Sequence, residues 1–293
     1  MDTVMERTKY LDPTNDVAFK KVFMEPNRLR DFLNAILRRP AGAQIETIEF
    51  LSQDLVPNVG QGKRGMFDIK CKDQAGNRFI IEMQNENKPY FLNRVQFYGM
   101  HTYVSQLEIS KLHTELLPVV VIVVIKEILF PDEEIECINY HQTVERKTNK
   151  HHLRALSYVF VELKKFKKTV KELKSIEDYW LYFLTHSPEI TSPPAKLEDK
   201  WVLDAYDTIT QFNWNSEEYD AYLRARLSLE AEDVAVSEAE MKGRQEGKAE
   251  GIAEGKAEEK IEMVKSMLAE NADIKFISKV SGLSEDEIRK LKS

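Results

Sequence analysis

Residues 67–84 restrict the fold more than any other stretch, because apolar and polar residues alternate along two arms joined by a turn. In the second arm Phe79, Ile81 and Met83 alternate with Ile80, Glu82 and Gln84; in the first, Phe67, Ile69 and Cys71 alternate with Asp68, Lys70 and Lys72. A period of two belongs to a β-strand, so Glu82 and Gln84 share one face. Between the arms, residues 73–77 include Gly76 and Asn77, which tolerate the positive φ of a tight connection. If Lys72 faces Arg78, Asp68 faces Glu82, with Cβ atoms roughly 5 Å apart and within reach of one ion.

Directly opposed carboxylates repel one another in a sheet, and a divalent cation between them removes the conflict. Oxygen ligands in this number suit Mg²⁺, which commonly takes one or two protein carboxylates and completes its shell with water and substrate phosphate. Gln84, two residues along the same face, is placed to orient an attacking water or to contact a scissile phosphate. The alternative is a solvated hairpin face whose register is shifted by a bulge, and alternation alone leaves both readings open.

Asp68 followed by Glu82-Met83-Gln84 resembles the D…ExK core of the PD-(D/E)XK nucleases, in the ExQ form of the Rpn family of recombination-promoting nucleases and transposases. Residues 14–23 (TNDVAFKKVF), 158–163 (YVFVEL) and 180–184 (WLYFL) extend the likeness over nearly the whole chain. The resemblance implies a restriction-endonuclease-like α/β/α core and a Mg²⁺-dependent DNA endonuclease, with Mn²⁺ able to substitute and a role in recombination or transposition. It implies Asp68 and Glu82 as metal ligands, the Met83 carbonyl as a third, and Gln84 in the place of the usual lysine. It also makes Asp16 an accessory acid, although an acid in the first turn of a helix serves the helix dipole as well. Two residues depart from the pattern: Phe67 stands where the motif has proline, and Gln84 cannot carry positive charge.

A chain of 293 residues can bury a full core and carry an appendage. Its two cysteines, Cys71 and Cys137, have no metal-ligand spacing and imply neither a disulfide framework nor a zinc site. Residues 1–9 mix acids and bases without an apolar run, and the longest apolar run, 118–125, is too short to span a bilayer, so the expectation is a cytoplasmic protein without a membrane partner. The net charge of −7 conceals an asymmetry: residues 1–175 carry +4 and the remainder −11. The basic excess therefore accompanies the carboxylate pair, where phosphate contacts are needed. Lys20, Lys21, Lys63, Arg64 and the group Lys164, Lys165, Lys167 and Lys168 are candidates, each with a solvated surface as its alternative.

The pattern predicts an opening helix over 16–37, an extended segment at 45–51, the hairpin, a helix over 92–107, a buried strand at 119–125 and a strand at 156–163. Alternation of this kind gives a sheet flanked by helices. In the helix after the hairpin, Arg94 and Tyr98 lie one turn apart, facing DNA or the site. The expected division is a nuclease-like core (1–165), a helical extension (166–235), a glycine-periodic segment (236–260) and a small helical module (261–293). Gly243, Gly247, Gly251 and Gly255 each cost a helix about 1 kcal/mol, so an isolated helix there is expected to be unstable. The ridge reads equally as a surface for a homo-oligomer or as a flexible linker. Ser284 and Glu287 carry a capping-box signature, and the acids that follow make the terminal hairpin a packing module rather than a DNA reader. The most probable class is thus a DNA endonuclease, with a catalytically weak DNA-binding or scaffold protein on the same fold as the alternative.

Overall fold

The structure, a computed structural model, describes residues 9–52, 68–107 and 116–291. The chain forms two compact units, Met1–Arg226 and Leu227–Ser293. In the first, helices α1 (Asp16–Phe23) and α2 (Pro26–Ile36) precede strands β1 (Ile48–Phe50), β2 (Ile69–Asp73) and β3 (Arg78–Gln84). Helix α3 (Phe91–Val104), strands β4 (Val119–Ile125), β5 (Ile138–Gln142) and β6 (Leu156–Glu162), and helices α4 (Ile176–His186) and α5 (Lys200–Thr208) follow. The expected single helix over 16–37 is two. Pro26 has no N–H to donate to the preceding turn, and Glu25 caps the second helix by accepting from the Arg28 amide at 2.7 Å. Strand β5 was not foreseen, because its sequence INYHQ mixes faces without a clean alternation.

The strands form a sheet in the order β1-β2-β3-β4-β6-β5, with β3, β4 and β6 parallel and the other pairings antiparallel. The hairpin register follows the sequence expectation, with Lys72 opposite Arg78 and Ile69 opposite Ile81. Its turn is held by the Asp73 carboxylate, which accepts from the Ala75 and Asn77 amides at 3.0 and 2.9 Å. Gly76 adopts φ +83°, a conformation that strains any residue with a side chain, while the Leu117 Cδ1 that a Cβ would meet at 2.5 Å is a flexible tip able to shift.

Both faces of the sheet are covered, which explains why β4 reads VVVIVVI without alternation. On one face Ile122 and Val124 pack with Phe19, Phe23, Phe32, Trp180, Phe183 and Tyr206. This core runs across the boundary expected at residue 165, since α4 and α5 supply its largest rings. Trp180 donates from Nε1 to Asp31 at 2.7 Å, and the buried Arg28 bonds Val22 O, Asp204 and Thr208, tying α1, α2 and α5 together. On the other face α3 lies over Ile80, Val119, Val121 and Val123. Gly99 lets it approach closely, for a Cβ there would stand 3.1 Å from Val121. The fold is an α/β/α sandwich of the restriction-endonuclease-like class with a mostly helical C-terminal region.

In the second unit, helix α6 (Ser216–Ala269), whose first turns belong to the first unit, is followed by α7 (Ile274–Ser281) and α8 (Glu285–Leu291). The four periodic glycines lie within helix α6, and a Cβ on any of them would meet nothing within 4 Å. Val264, Ile277 and Ile288 form a small core, and the Ser284–Glu287 capping box is present. Among the described residues no helix is long and apolar enough to cross a membrane.

Candidate active site

The C-terminal end of β3 carries the carboxylates. Continuing the hairpin register by one residue puts Asp68, just before β2, opposite Glu82. The two are interlocked through the backbone: the Asp68 amide donates to Glu82 Oε2 at 3.2 Å, and the Met83 amide donates to Asp68 Oδ2 at 2.8 Å. The strand period that turns Glu82 outward from the main core turns Met83 into it, where its side chain is buried.

Glu82 is only 7% exposed. Burial first, and the Asp68 charge second, push its carboxyl well above the usual carboxylate range, to about 8. Such a pair calls for a cation. Lys20, from the last turn of α1, supplies one: its Nζ stands 3.3 Å from Asp68 Oδ1. Asp16, the first residue of the same helix, is also raised: partial loss of hydration contributes most, then Asp68, against Lys20 and Lys88. Asn15, not Asp16, caps the helix, accepting from the Val17 amide at 3.0 Å. Asp16 therefore sits in the electrostatic field of the pair.

Helix α3 closes the other side. Arg94 donates from a terminal guanidinium nitrogen to Gln84 Oε1 at 2.8 Å. Because a guanidinium only donates, the amide oxygen must face Arg94, leaving the Gln84 NH₂ as the group directed elsewhere. Tyr98, one turn later and buried, is raised by burial and then by the Glu82 charge. Thus Asp16, Lys20, Asp68, Glu82, Gln84, Arg94 and Tyr98, chosen from separate parts of the sequence, converge at one end of the sheet. Lys63 and Arg64 lie outside the described residues, as does Phe67. Three of the four lysines after β6 are engaged elsewhere: Lys164 pairs with Glu127 at 2.6 Å, Lys165 with Glu162 at 3.1 Å and Lys168 with Asp178 at 2.6 Å. Lys88, in the β3–α3 connection, was overlooked; its position between two elements whose ends meet at the carboxylates was the available signal.

Among the described residues no three His, Cys, Asp or Glu side chains converge as a metal cluster. The oxygen donors paired here, the Asp68 and Glu82 carboxyls, fit a hard cation that keeps water in its shell and do not fit zinc. An apolar groove of about 400 Å³ between α3 and β5–β6 contains no charged residue and is separate chemistry. A family model described as PD-(D/E)XK nuclease family transposase matches residues 13–239, taking in the sheet and α1 to α5. No curated protein and no solved structure matches the chain.

Proposed function

We propose that this chain, which belongs to the PD-(D/E)XK nuclease family of transposases, is a divalent-metal-dependent DNA endonuclease acting in recombination or transposition. The observation that carries the reading is the Asp68–Glu82 pair, two opposed carboxyls of which Glu82 is buried, with a lysine already drawn to Asp68. Asp68 and Glu82 would hold Mg²⁺, or Mn²⁺ in its place, with the Met83 carbonyl as a third ligand. When bound, the ion supplies an activated water and neutralises charge developing on the phosphate.

The remaining residues position and compensate. Gln84, oriented by Arg94, presents amide hydrogens and so binds a phosphate oxygen rather than accepting a proton from water. Lys20 restores the positive charge that Gln84 lacks, from a different element, and Arg94 adds a second. Asp16 acts as an accessory acid beside the pair. Supercoiled plasmid incubated with Mg²⁺ or Mn²⁺, with EDTA as control, tests the reading: nicking by the wild type and none by Asp68→Ala or Glu82→Ala is expected. Metal-independent nicking, or undiminished nicking by both well-folded variants, would overturn it.

A further inference from the structure

The chain carries a second concentration of positive charge, in the connection between β5 and β6. Residues 143–154 contain Arg146, Lys147, Lys150 and Arg154 with two histidines, against a single acid, Glu145, in a chain whose net charge is −7. The connection is built, not loose. Thr143 Oγ1 donates to Leu153 O at 2.9 Å, and His151 Nδ1 lies 2.6 Å from Thr143 O. The Glu145 amide donates to Lys150 O at 2.9 Å, and Asn149 takes the left-handed φ of 52° that the turn requires.

The single acid is consumed within this turn. Its carboxylate accepts from the Lys147 amide at 3.1 Å and from the Thr148 amide and hydroxyl at 2.8 Å. Glu145 therefore points its charge at the backbone of its own loop, and the four cations face solvent. Some other cations of the first unit are matched: Lys126 with Asp12, Lys164 with Glu127, Lys72 with Glu49. Among the described residues none of the four loop cations has an ion-pair partner. An ordered turn that withdraws its only acid and leaves four charges unmatched is organised for an external polyanion.

We propose that the β5–β6 loop is a second contact for the DNA backbone, outside the catalytic site. The choice of DNA rests on the nuclease reading above. Geometry favours a duplex over an isolated phosphate. The carboxylates lie at the C-terminal end of β3 and the loop at the N-terminal end of β6, parallel strands separated by β4. Glu82 is level with Val123 and Phe160, four residues past the start of β6, so ~3.3 Å per residue and two strand spacings of ~4.8 Å put it roughly 16 Å from Leu156, where the loop ends. One duplex of about five base pairs spans that distance at ~3.4 Å per pair.

The test uses the full chain with Arg146, Lys147, Lys150 and Arg154 all changed to Gln, and a fluorescent duplex of arbitrary sequence, about 24 base pairs long, in EDTA so that no cleavage intervenes. Affinity is expected to fall at least tenfold near 0.1 M salt. The slope of log K against log salt is expected to become shallower by about 3.6, since each of the four lost phosphate contacts contributes about 0.9. Plasmid nicking at saturating DNA should stay within about twofold. Unchanged affinity and slope would overturn the proposal, as would wild-type binding to anionic phospholipid vesicles but not to the duplex. A wild type that binds with the expected slope but never nicks would refute the nuclease reading and leave this contact standing.

Discussion

Glu82→Gln should stabilise the metal-free protein at neutral pH while abolishing its cleavage. The Glu82 carboxyl, raised from 4.5 to about 8 by burial and by Asp68, holds its proton more tightly in the folded chain than in the unfolded one. That stabilisation is complete below about pH 4.5 and is lost as pH rises towards 8. From pH 4.5 to pH 7 the loss accumulates at about 1.4 kcal/mol per pH unit, or about 3 kcal/mol as an upper value. Glutamine does not titrate, and its oxygen can still accept from the Asp68 amide, which bonds Glu82 Oε2 at 3.2 Å in the wild type. Measured in EDTA by tryptophan fluorescence, the two proteins should therefore have similar stability at pH 4.5 and diverge on going to pH 7. For a folding unit spanning Met1–Arg226 the gap in Tm should approach about 6–12 °C. Mg²⁺ should raise the wild-type Tm and close part of the gap, because a ligand bound only by the folded state stabilises it by mass action. A gap independent of pH, or a variant less stable than wild type at pH 7, would refute the argument that this pair is under electrostatic stress.

Gln84→Lys should keep nicking activity better than Gln84→Ala in a plasmid assay; an inert lysine variant beside an active alanine variant would remove Gln84 from the chemistry. Lys20→Met should lower the nicking rate at least tenfold yet tighten Mg²⁺ binding in calorimetry, since the ammonium at 3.3 Å competes for the same Asp68 carboxylate; unchanged metal affinity would show that it does not compete. Trp180→Ala should cost about 3–5 kcal/mol in urea denaturation, because the fully buried ring packs on Phe23, Phe32 and Phe183 and donates to Asp31; a cost below about 1 kcal/mol would mean α4 is not part of the core. Removing residues 236–293 should leave cleavage at saturating DNA within about tenfold, a barrier change of about 1.4 kcal/mol, and should lower the number of copies per particle, read as light-scattering mass divided by chain mass, if the open glycine ridge of α6 joins two copies; an unchanged copy number would make the ridge a linker.

The hairpin was legible in the sequence because everything that sets it is local. A period of two, a turn with Gly76 and Asn77, and one pairing constraint are enough to bring Asp68 opposite Glu82, and strand β4 announced itself by an apolar run with no polar face. The break at Pro26 was equally local and was available to be read. What the chain order could not supply was the distance between elements far apart in sequence. That Lys20 reaches Asp68, that Arg94 turns the Gln84 amide, and that Lys88 acts on Asp16 depend on how α1 and α3 pack against the sheet. The same holds for Trp180 and Tyr206, whose apolar surroundings in sequence suggested a separate helical block but whose rings complete the core begun by Phe19 and Phe23. Side-chain identity and period determine which face a residue occupies; which other face it meets is decided by the burial of the whole core, and that burial, more than the neighbouring Asp68 charge, raises the Glu82 carboxyl.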